Sequence, residues 1–214
     1  MKSKIQSLKN GNKKTVIKKL FLTAAVAVSS LTFAQQFGAK AGMNVSTISD
    51  EGFDDTKSKV GYYAGVFMNV PVSESFSIQP EVLYNNLGSK VSSTVSGTTY
   101  SSTLNLDYVA VPVMFQYKAT PQFYLEAGPE FGFLVNAKQK FDNGSSSIVT
   151  ELDKEDFNSF NMGVGLGLGF DISKNVGLNA RYVAGFSDIT KKSGPAADAK
   201  NKNNAFQVGL NIKF

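Results

Sequence analysis

The stretch that decides the fold is Ala205-Phe-Gln-Val-Gly-Leu-Asn-Ile-Lys-Phe214. Apolar residues occupy every second position from Phe206 onward, and glutamine, glycine, asparagine and lysine fill the positions between them. Because side chains alternate between the two faces of a β-strand, this strand has one apolar face and one polar or glycine face. Such a strand suits a wall between lipid and water, so the stretch predicts a transmembrane β-strand.

The same period of two recurs in seven further segments of the chain. With the last stretch they predict eight strands, near residues 37–46, 60–70, 76–86, 106–118, 122–138, 158–172, 175–188 and 205–214. Each is long enough for the roughly 9–11 residues that a tilted strand needs to cross a membrane.

The predicted connections alternate between long and short. The long ones are residues 47–59, 87–103, 141–157 and 189–204, and the short ones are residues 71–75, 119–121 and 173–174. The three short turns therefore lie at the end that holds both termini, as in outer-membrane barrels, where short turns face the periplasm. We predict an all-β, eight-stranded, antiparallel, up-and-down transmembrane β-barrel.

A soluble eight-stranded barrel of the lipocalin type is the alternative. Its outer face would carry lysine, glutamate and threonine, and its apolar residues would fill the interior. In the sixth predicted strand, however, the face opposite the apolar residues carries Asn161, four glycines and Asp171. That composition favours a narrow, crowded lumen inside an apolar outer wall.

The first 34 residues account for the basic character of the chain. They hold seven of its 22 basic residues and none of its 17 acidic residues, which leaves 15 basic residues elsewhere. We therefore expect no nucleic-acid partner. The lysines, the apolar run over residues 20–31 and the small Ala34 predict a secretory signal peptide at 1–34 and a barrel domain at 35–214. Because the run turns polar before the roughly 20 apolar residues of a membrane helix, we expect cleavage between Ala34 and Gln35.

The chain contains no cysteine and no histidine. The first absence excludes a lipoprotein anchor, disulfides and thiolate metal sites, and the second excludes histidine-based triads and histidine-ligated metals. We expect no enzyme activity, no catalytic residue and no cofactor or metal site. The acidic loop that contains Asp50, Glu51, Asp54 and Asp55 lacks the spacing of a known calcium loop, so we expect it to be solvated.

Seven charged residues share the parity of the predicted lumen face: Lys40, Glu81, Glu126, Glu130, Asp171, Arg181 and Lys213. They could form a selectivity or proton-conducting cluster, or they could neutralise one another in a filled lumen. We favour the structural interpretation, because an unpaired buried charge is costly and side chains can fill an eight-stranded lumen. We expect Arg181 to contact at least one of Glu81, Glu126 or Glu130.

Glycine alternates with apolar residues at positions 163, 165, 167 and 169. A spacing of two on a strand is not that of a phosphate loop, which needs a helix start. We expect these glycines to make room for long arginine, glutamate and tyrosine side chains opposite them.

Two features do not fit regular strands. Leu104 and Leu106 have the opposite parity to Val109, which calls for a bulge near Asp107 or a strand that starts above the membrane. Three prolines, Pro80, Pro112 and Pro129, lie inside strands although a closed barrel has no free edge for them. The sequence does not explain how these prolines are accommodated.

Six pieces of the chain share a pattern with known proteins: residues 37–44, 76–84, 108–112, 124–129 and 181–189 and the last strand. Read together, they resemble the PorT-type outer-membrane β-barrel family of Bacteroidetes. Ala110 departs from the pattern, since relatives often carry an acid between the tyrosine and the proline. Phe214 resembles the C-terminal assembly signal of outer-membrane barrels. The resemblance implies the fold and the outer membrane of a Gram-negative bacterium, and some relatives act in protein secretion and gliding.

We therefore expect an integral outer-membrane protein with a non-enzymatic structural or surface-interaction role, with its long loops as the contact surface. Two alternatives stay open: a narrow channel for ions or small solutes, and an accessory role in a secretion or gliding complex. The expected partners are outer-membrane lipid and, during biogenesis, the barrel-assembly machinery. We expect a monomer, and the sequence does not identify the surface partner.

Overall fold

The computed structural model describes residues 35–49, 57–96, 98–189 and 201–214. The predicted signal peptide and the acidic loop at residues 50–55 lie outside these ranges. Within them, no helix is long and apolar enough to cross a membrane. The strands are β1 (Gln36–Ser49), β2 (Lys57–Pro71), β3 (Phe76–Val95), β4 (Thr98–Lys118), β5 (Phe123–Asp142), β6 (Ser147–Glu151), β7 (Phe160–Asp171), β8 (Val176–Asp188) and β9 (Lys202–Lys213).

Eight of these strands form a closed antiparallel ring, which confirms the predicted barrel. Each pairs with its neighbour along the chain, β5 pairs with β7, and β9 closes the ring on β1. The short strand β6 stands outside the ring and pairs with the far end of β5. Both described termini lie at one end of the barrel, where the backbone N–H of Phe214 donates to the carbonyl of Phe37 at 2.9 Å. We call this the turn end and the opposite end the loop end.

The predicted long loop at residues 87–103 is wrong. Strands β3 and β4 continue through it in register, from the pair Leu87–Leu106 to the pair Val95–Thr98. The segment is rich in serine, which suggests a loop, but its threonines and valines are β-branched and favour strands. Only two residues join the strands, and Ser96 has the positive φ of 51° that tight hairpin turns require.

The predicted loop at residues 141–157 also contains regular structure. It begins with the end of β5, which pairs with β6 from Lys138–Glu151 to Asp142–Ser147. A single turn of 3₁₀ helix follows at Lys154–Asp156, with Asp153 as its N-cap. The strands β3, β4, β5 and β6 therefore extend together beyond the rest of the ring.

The interior position of Leu104 and Leu106 explains their parity. Leu106 is fully buried, and both leucines share the interior face of β4 with Tyr108. The ladder is irregular next to Asp107, where a bulge was one of the two expectations, and the extra residue is in β5, since Asp107 pairs with Asn136 and Tyr108 pairs with Leu134. The lumen around Leu104 and Leu106 is apolar, whereas the sequence analysis assigned apolar residues to the lipid-facing side of each strand.

Each strand proline lies beside a two-residue gap in one ladder. The β2–β3 ladder leaves Gln79 and Pro80 unpaired on β3. The β3–β4 ladder leaves Val111 and Pro112 unpaired on β4, and the β4–β5 ladder leaves Gly128 and Pro129 unpaired on β5. The opposite edge of the strand stays paired at each proline, for example at Pro80–Val113, Pro112–Glu130 and Pro129–Val164. A missing N–H is thus accommodated by a local gap on one side.

The outer surface of the ring is an apolar band between two rows of aromatic side chains. One row lies at the turn end and contains Phe37, Phe76, Tyr117, Phe123, Phe170 and Phe214. The other lies toward the loop end and contains Tyr62, Tyr84, Phe133, Phe160, Phe186 and Phe206. Such girdles mark the two membrane interfaces of transmembrane barrels.

Candidate functional site: the barrel lumen and the projecting sheet

Four of the seven predicted lumen charges form one buried cluster in the middle of the barrel. Arg181 on β8 is 1 % exposed and donates through Nη1 and Nη2 to the two carboxylate oxygens of Glu81, at 3.0 and 2.8 Å. Its Nε donates to Oε1 of Glu126 at 2.8 Å. The Nζ of Lys40 completes the cluster with a 3.1 Å contact to Glu81. Two cations and two anions therefore neutralise one another inside the wall.

Amide side chains extend this cluster toward the turn end. Gln79 donates to Glu81 at 2.8 Å, and Gln116 donates to Glu126 at 3.0 Å. Asn69 in turn donates to Gln116 at 2.8 Å. Hydrogen bonds to a carboxylate stabilise its charge, so the amides hold the acids in place. The sequence prediction missed these amides, although their alternation with apolar residues was the available signal.

Glycines of β7 give the long lumen side chains their space. An added Cβ at Gly165 would lie 3.3 Å from Cδ of Arg181, and one at Gly167 would lie 3.1 Å from Cγ of Glu126. At Gly169 it would overlap the ring of Tyr124. Three of the four alternating glycines thus make room for arginine, glutamate and tyrosine as expected, whereas Gly163 faces the backbone of Ala184.

The structure separates the other three predicted lumen charges from the cluster. Asp171 and Lys213 form their own ion pair at 2.5 Å, near the turn end and partly exposed. Glu130 on β5 is buried, and its Oε2 has no hydrogen-bond partner among the described protein atoms. Arg181 thus contacts Glu81 and Glu126 of the three expected acids, and Glu130 stands apart.

An apolar plug closes the lumen toward the loop end. Its buried side chains come from seven positions: Leu87, Leu106, Tyr108, Ala137, Phe157, Ile189 and Ala205. Phe157 and Ile189 lie outside the strands, so connecting segments fold over the barrel mouth and contribute to the plug. Between the plug and the turn end, each of the two described lumen cavities has a volume of about 20 Å³. The described side chains therefore fill most of the lumen.

The loop end carries a projecting sheet, which we define as residues 88–95, 98–105, 137–142 and 147–151. Five of its large apolar side chains are exposed, namely Val91, Tyr100, Phe141, Ile148 and Val149, and Ile148 reaches 67 %. Val91, Tyr100, Phe141 and Ile148 line a shared groove of about 320 Å³ together with serines and Asp142. Exposed apolar surface outside the membrane band is typical of an interaction site.

The chemistry available to the described residues is limited. They contain no group of three acidic, histidine or cysteine side chains that could hold a metal ion. The charged groups of the buried cluster form ion pairs with one another, and the projecting sheet has exposed apolar side chains. The arrangement suits a rigid scaffold that presents a surface.

Several solved structures resemble this chain. Ail, the attachment invasion locus protein of Yersinia pestis, has a TM-score of 0.51 and 14% identity, over 85% of this chain and 100% of that one. Neisserial surface protein A has a TM-score of 0.48 and 12% identity, over 85% and 100%. OprG from Pseudomonas aeruginosa has a TM-score of 0.42 and 14% identity, over 85% and 96%. At these identities the likeness to Ail shows the fold alone.

No curated protein matches the chain significantly in sequence. A family model does match it: the model described as outer membrane protein beta-barrel domain covers residues 33–191. This range includes the strands from β1 to β8 and therefore most of the ring. The chain belongs to the outer membrane protein beta-barrel domain family.

Proposed function

We propose that this outer-membrane protein is a non-enzymatic barrel of the PorT type from Bacteroidetes, which uses its projecting sheet to bind a partner outside the cell. The exposed groove between Tyr100, Phe141 and Ile148 carries the proposal. It lies beyond the aromatic row at the loop end, which faces the exterior in barrels of this architecture. Aromatic side chains in a groove provide a large contact area at a low entropic cost.

The filled lumen supports this role over that of a channel. A channel needs continuous water, and here a neutralised charge cluster lies beneath an apolar plug. Eight strands leave an interior that side chains can fill, and these side chains do so. An accessory role in a secretion or gliding complex would use the same outer surface, so it is a variant of this proposal.

We predict that the purified barrel shows no steady conductance in a planar bilayer. The described lumen cavities of about 20 Å³ each have room for one or two water molecules, which is too little for an ion path. A large porin in the same bilayer serves as the positive control. Stable single-channel steps from the intact barrel would support the channel alternative instead.

The surface role can be tested by photo-cross-linking on intact cells. A photoreactive phenylalanine derivative replaces Ser93, which is exposed and lines the groove. We expect illumination to shift the barrel to a higher mass. The triple variant Tyr100→Ser, Phe141→Ser, Ile148→Ser should reduce the shifted species by about tenfold or more, because aromatic anchors commonly contribute about 2 kcal/mol each.

The matched control changes exposed apolar residues at the opposite end. Val72 and Ile172 lie in the short turns and are each 55% exposed, like the groove residues. The variant Val72→Ser, Ile172→Ser should leave the cross-link unchanged. A cross-link that persists in the triple variant, or none in the wild type, would rule out the groove as the contact surface.

The proposal includes a route to the membrane. The signal peptide at 1–34 is cleaved between Ala34 and Gln35, and Phe214 is the signal that the barrel-assembly machinery binds. The exposure of Phe214, at 77%, supports this role, since a recognition signal must be accessible. The mature barrel is then a monomer surrounded by outer-membrane lipid.

A further inference from the structure

A small cavity lies in the lumen between the charge cluster and the apolar plug. Its volume is about 20 Å³, and its wall includes Asn85, Tyr108, Glu130, Asn161 and Asn203. Glycines at three further wall positions leave this space open, since no side chain projects from them. A cavity of this size has room for a water-sized ligand.

The polar groups at this cavity have unused bonding capacity. Among the described atoms, Oε2 of Glu130, the hydroxyl of Tyr108, both amide atoms of Asn203 and Nδ2 of Asn85 are buried without a hydrogen-bond partner. Such groups are costly to bury unless something else bonds them. Three of the five are oxygens on different strands, Tyr108 on β4, Glu130 on β5 and Asn203 on β9.

The buried charges of the described residues do not balance. The cations are Lys40, Lys59 and Arg181, and the anions are Glu81, Asp107, Glu126 and Glu130. Asp107 accepts hydrogen bonds from Asn86 at 2.5 Å and Asn136 at 3.0 Å, and Lys59 also donates to Asn86. Because Arg181 and Lys40 bond the acids of the cluster, an ionised Glu130 is a surplus negative charge. A buried carboxylate is very unfavourable in its charged form unless a cation bonds it.

We propose that the cavity beside Glu130 is a binding site for one small monovalent cation, with sodium as the fitting size. The Glu130 carboxylate supplies the charge, and Asn203 Oδ1 and the Tyr108 hydroxyl supply neutral oxygen ligands. Oxygen ligands suit hard cations, and a single carboxylate balances a single positive charge. A divalent ion would instead leave one charge uncompensated. The bound cation ties β5 to β9 across the lumen.

Urea unfolding in different salts tests the site. The purified barrel in detergent is unfolded in equal concentrations of sodium chloride or choline chloride, since choline is too large for the cavity. We expect the wild type to need more urea in sodium chloride, because a ligand that binds only the folded state stabilises it. Glu130→Gln should abolish the difference, and Glu74→Gln, the same change in an exposed turn, should preserve it.

Two further measurements keep the test decisive if Glu130→Gln does not fold. Asn203→Ala keeps the charge but removes an oxygen ligand, so it should need about tenfold more sodium for half of the stabilisation. Sodium NMR of the wild-type barrel should show line broadening that lithium suppresses and choline does not. Equal unfolding midpoints of the wild type in both salts, or a sodium effect that survives Glu130→Gln, would overturn the proposal.

Discussion

Replacing Arg181 with methionine is expected to destabilise the folded barrel by roughly 3–5 kcal/mol, the usual cost of removing one partner from a buried ion pair. Arg181 is 1% exposed and bonds both Glu81 and Glu126, at distances from 2.7 to 3.0 Å. Methionine fills similar space but leaves two carboxylates facing only Lys40. The measurement is urea unfolding of the purified barrel in lipid vesicles, followed by the heat-dependent shift in electrophoretic mobility.

Two comparison variants separate charge from packing. Lys138→Met removes a cation from an exposed pair with Glu151, whose side chains are 37% and 81% exposed, and should cost less than about 1 kcal/mol. Adding Glu126→Gln to Arg181→Met leaves Lys40 opposite Glu81 as a balanced pair, so it should recover much of the loss. If Arg181→Met costs no more than Lys138→Met, the cluster does not stabilise the lumen.

The second large effect is expected at Gly42, where the ring closes. Gly42 on β1 pairs with Gly209 on β9, and the ring of Tyr63 lies over both. An added Cβ would lie 2.6 Å from Cα of Gly209 and 2.8 Å from the Tyr63 ring, and it would overlap the carbonyl of Val208. Gly42→Ala should therefore cost about 3 kcal/mol, the upper part of the range for overpacked sites. The folded yield and the urea midpoint measure the effect.

Gly132→Ala is the matched control, because Gly132 also faces the interior. Its added Cβ would lie 3.4 Å from the nearest atom, which is ordinary contact. The Gly132→Ala variant should fold like the wild type.

At Gly42, by contrast, the neighbouring Tyr63 ring cannot move aside. The hydroxyl of Tyr63 donates to Asn179 at 2.8 Å, which fixes the ring in place. A normal urea midpoint for Gly42→Ala would show that β1 and β9 do not approach as closely as the structure indicates.

The alternation of apolar and polar residues predicted most of the fold. It identified the eight ring strands, the closure and the lumen parity of Arg181, because the period of two fixes the face of each side chain. The alternation rule failed where the lumen changes from polar to apolar along the barrel axis. Leu104 and Leu106 look misplaced to a parity rule that assigns every apolar residue to lipid, whereas they belong to the plug.

The partner choice of the lumen charges could not be predicted from parity. Parity places Glu130 and Glu126 on the same face of β5, yet only Glu126 reaches Arg181. The difference depends on how far each strand is shifted against its neighbours, which no single strand encodes. The prediction of a loop at residues 87–103 failed for another reason. The serine-rich composition suggested a loop, but the hydrogen-bonded ladder of β3 with β4 continues through the segment.

The three proline gaps lie in neighbouring ladders on one side of the wall. The ladders of β5 with β7, β7 with β8, β9 with β1 and β1 with β2 run without interruption through the membrane band. The ladders around β3 and β4 are interrupted at one level after another, beside Pro80, Pro112 and Pro129. Amide hydrogens there should exchange with solvent sooner than those of the opposite wall, because local opening breaks fewer bonds. We therefore expect the cross-section of the barrel to fluctuate more along β2 to β5 than along the opposite wall.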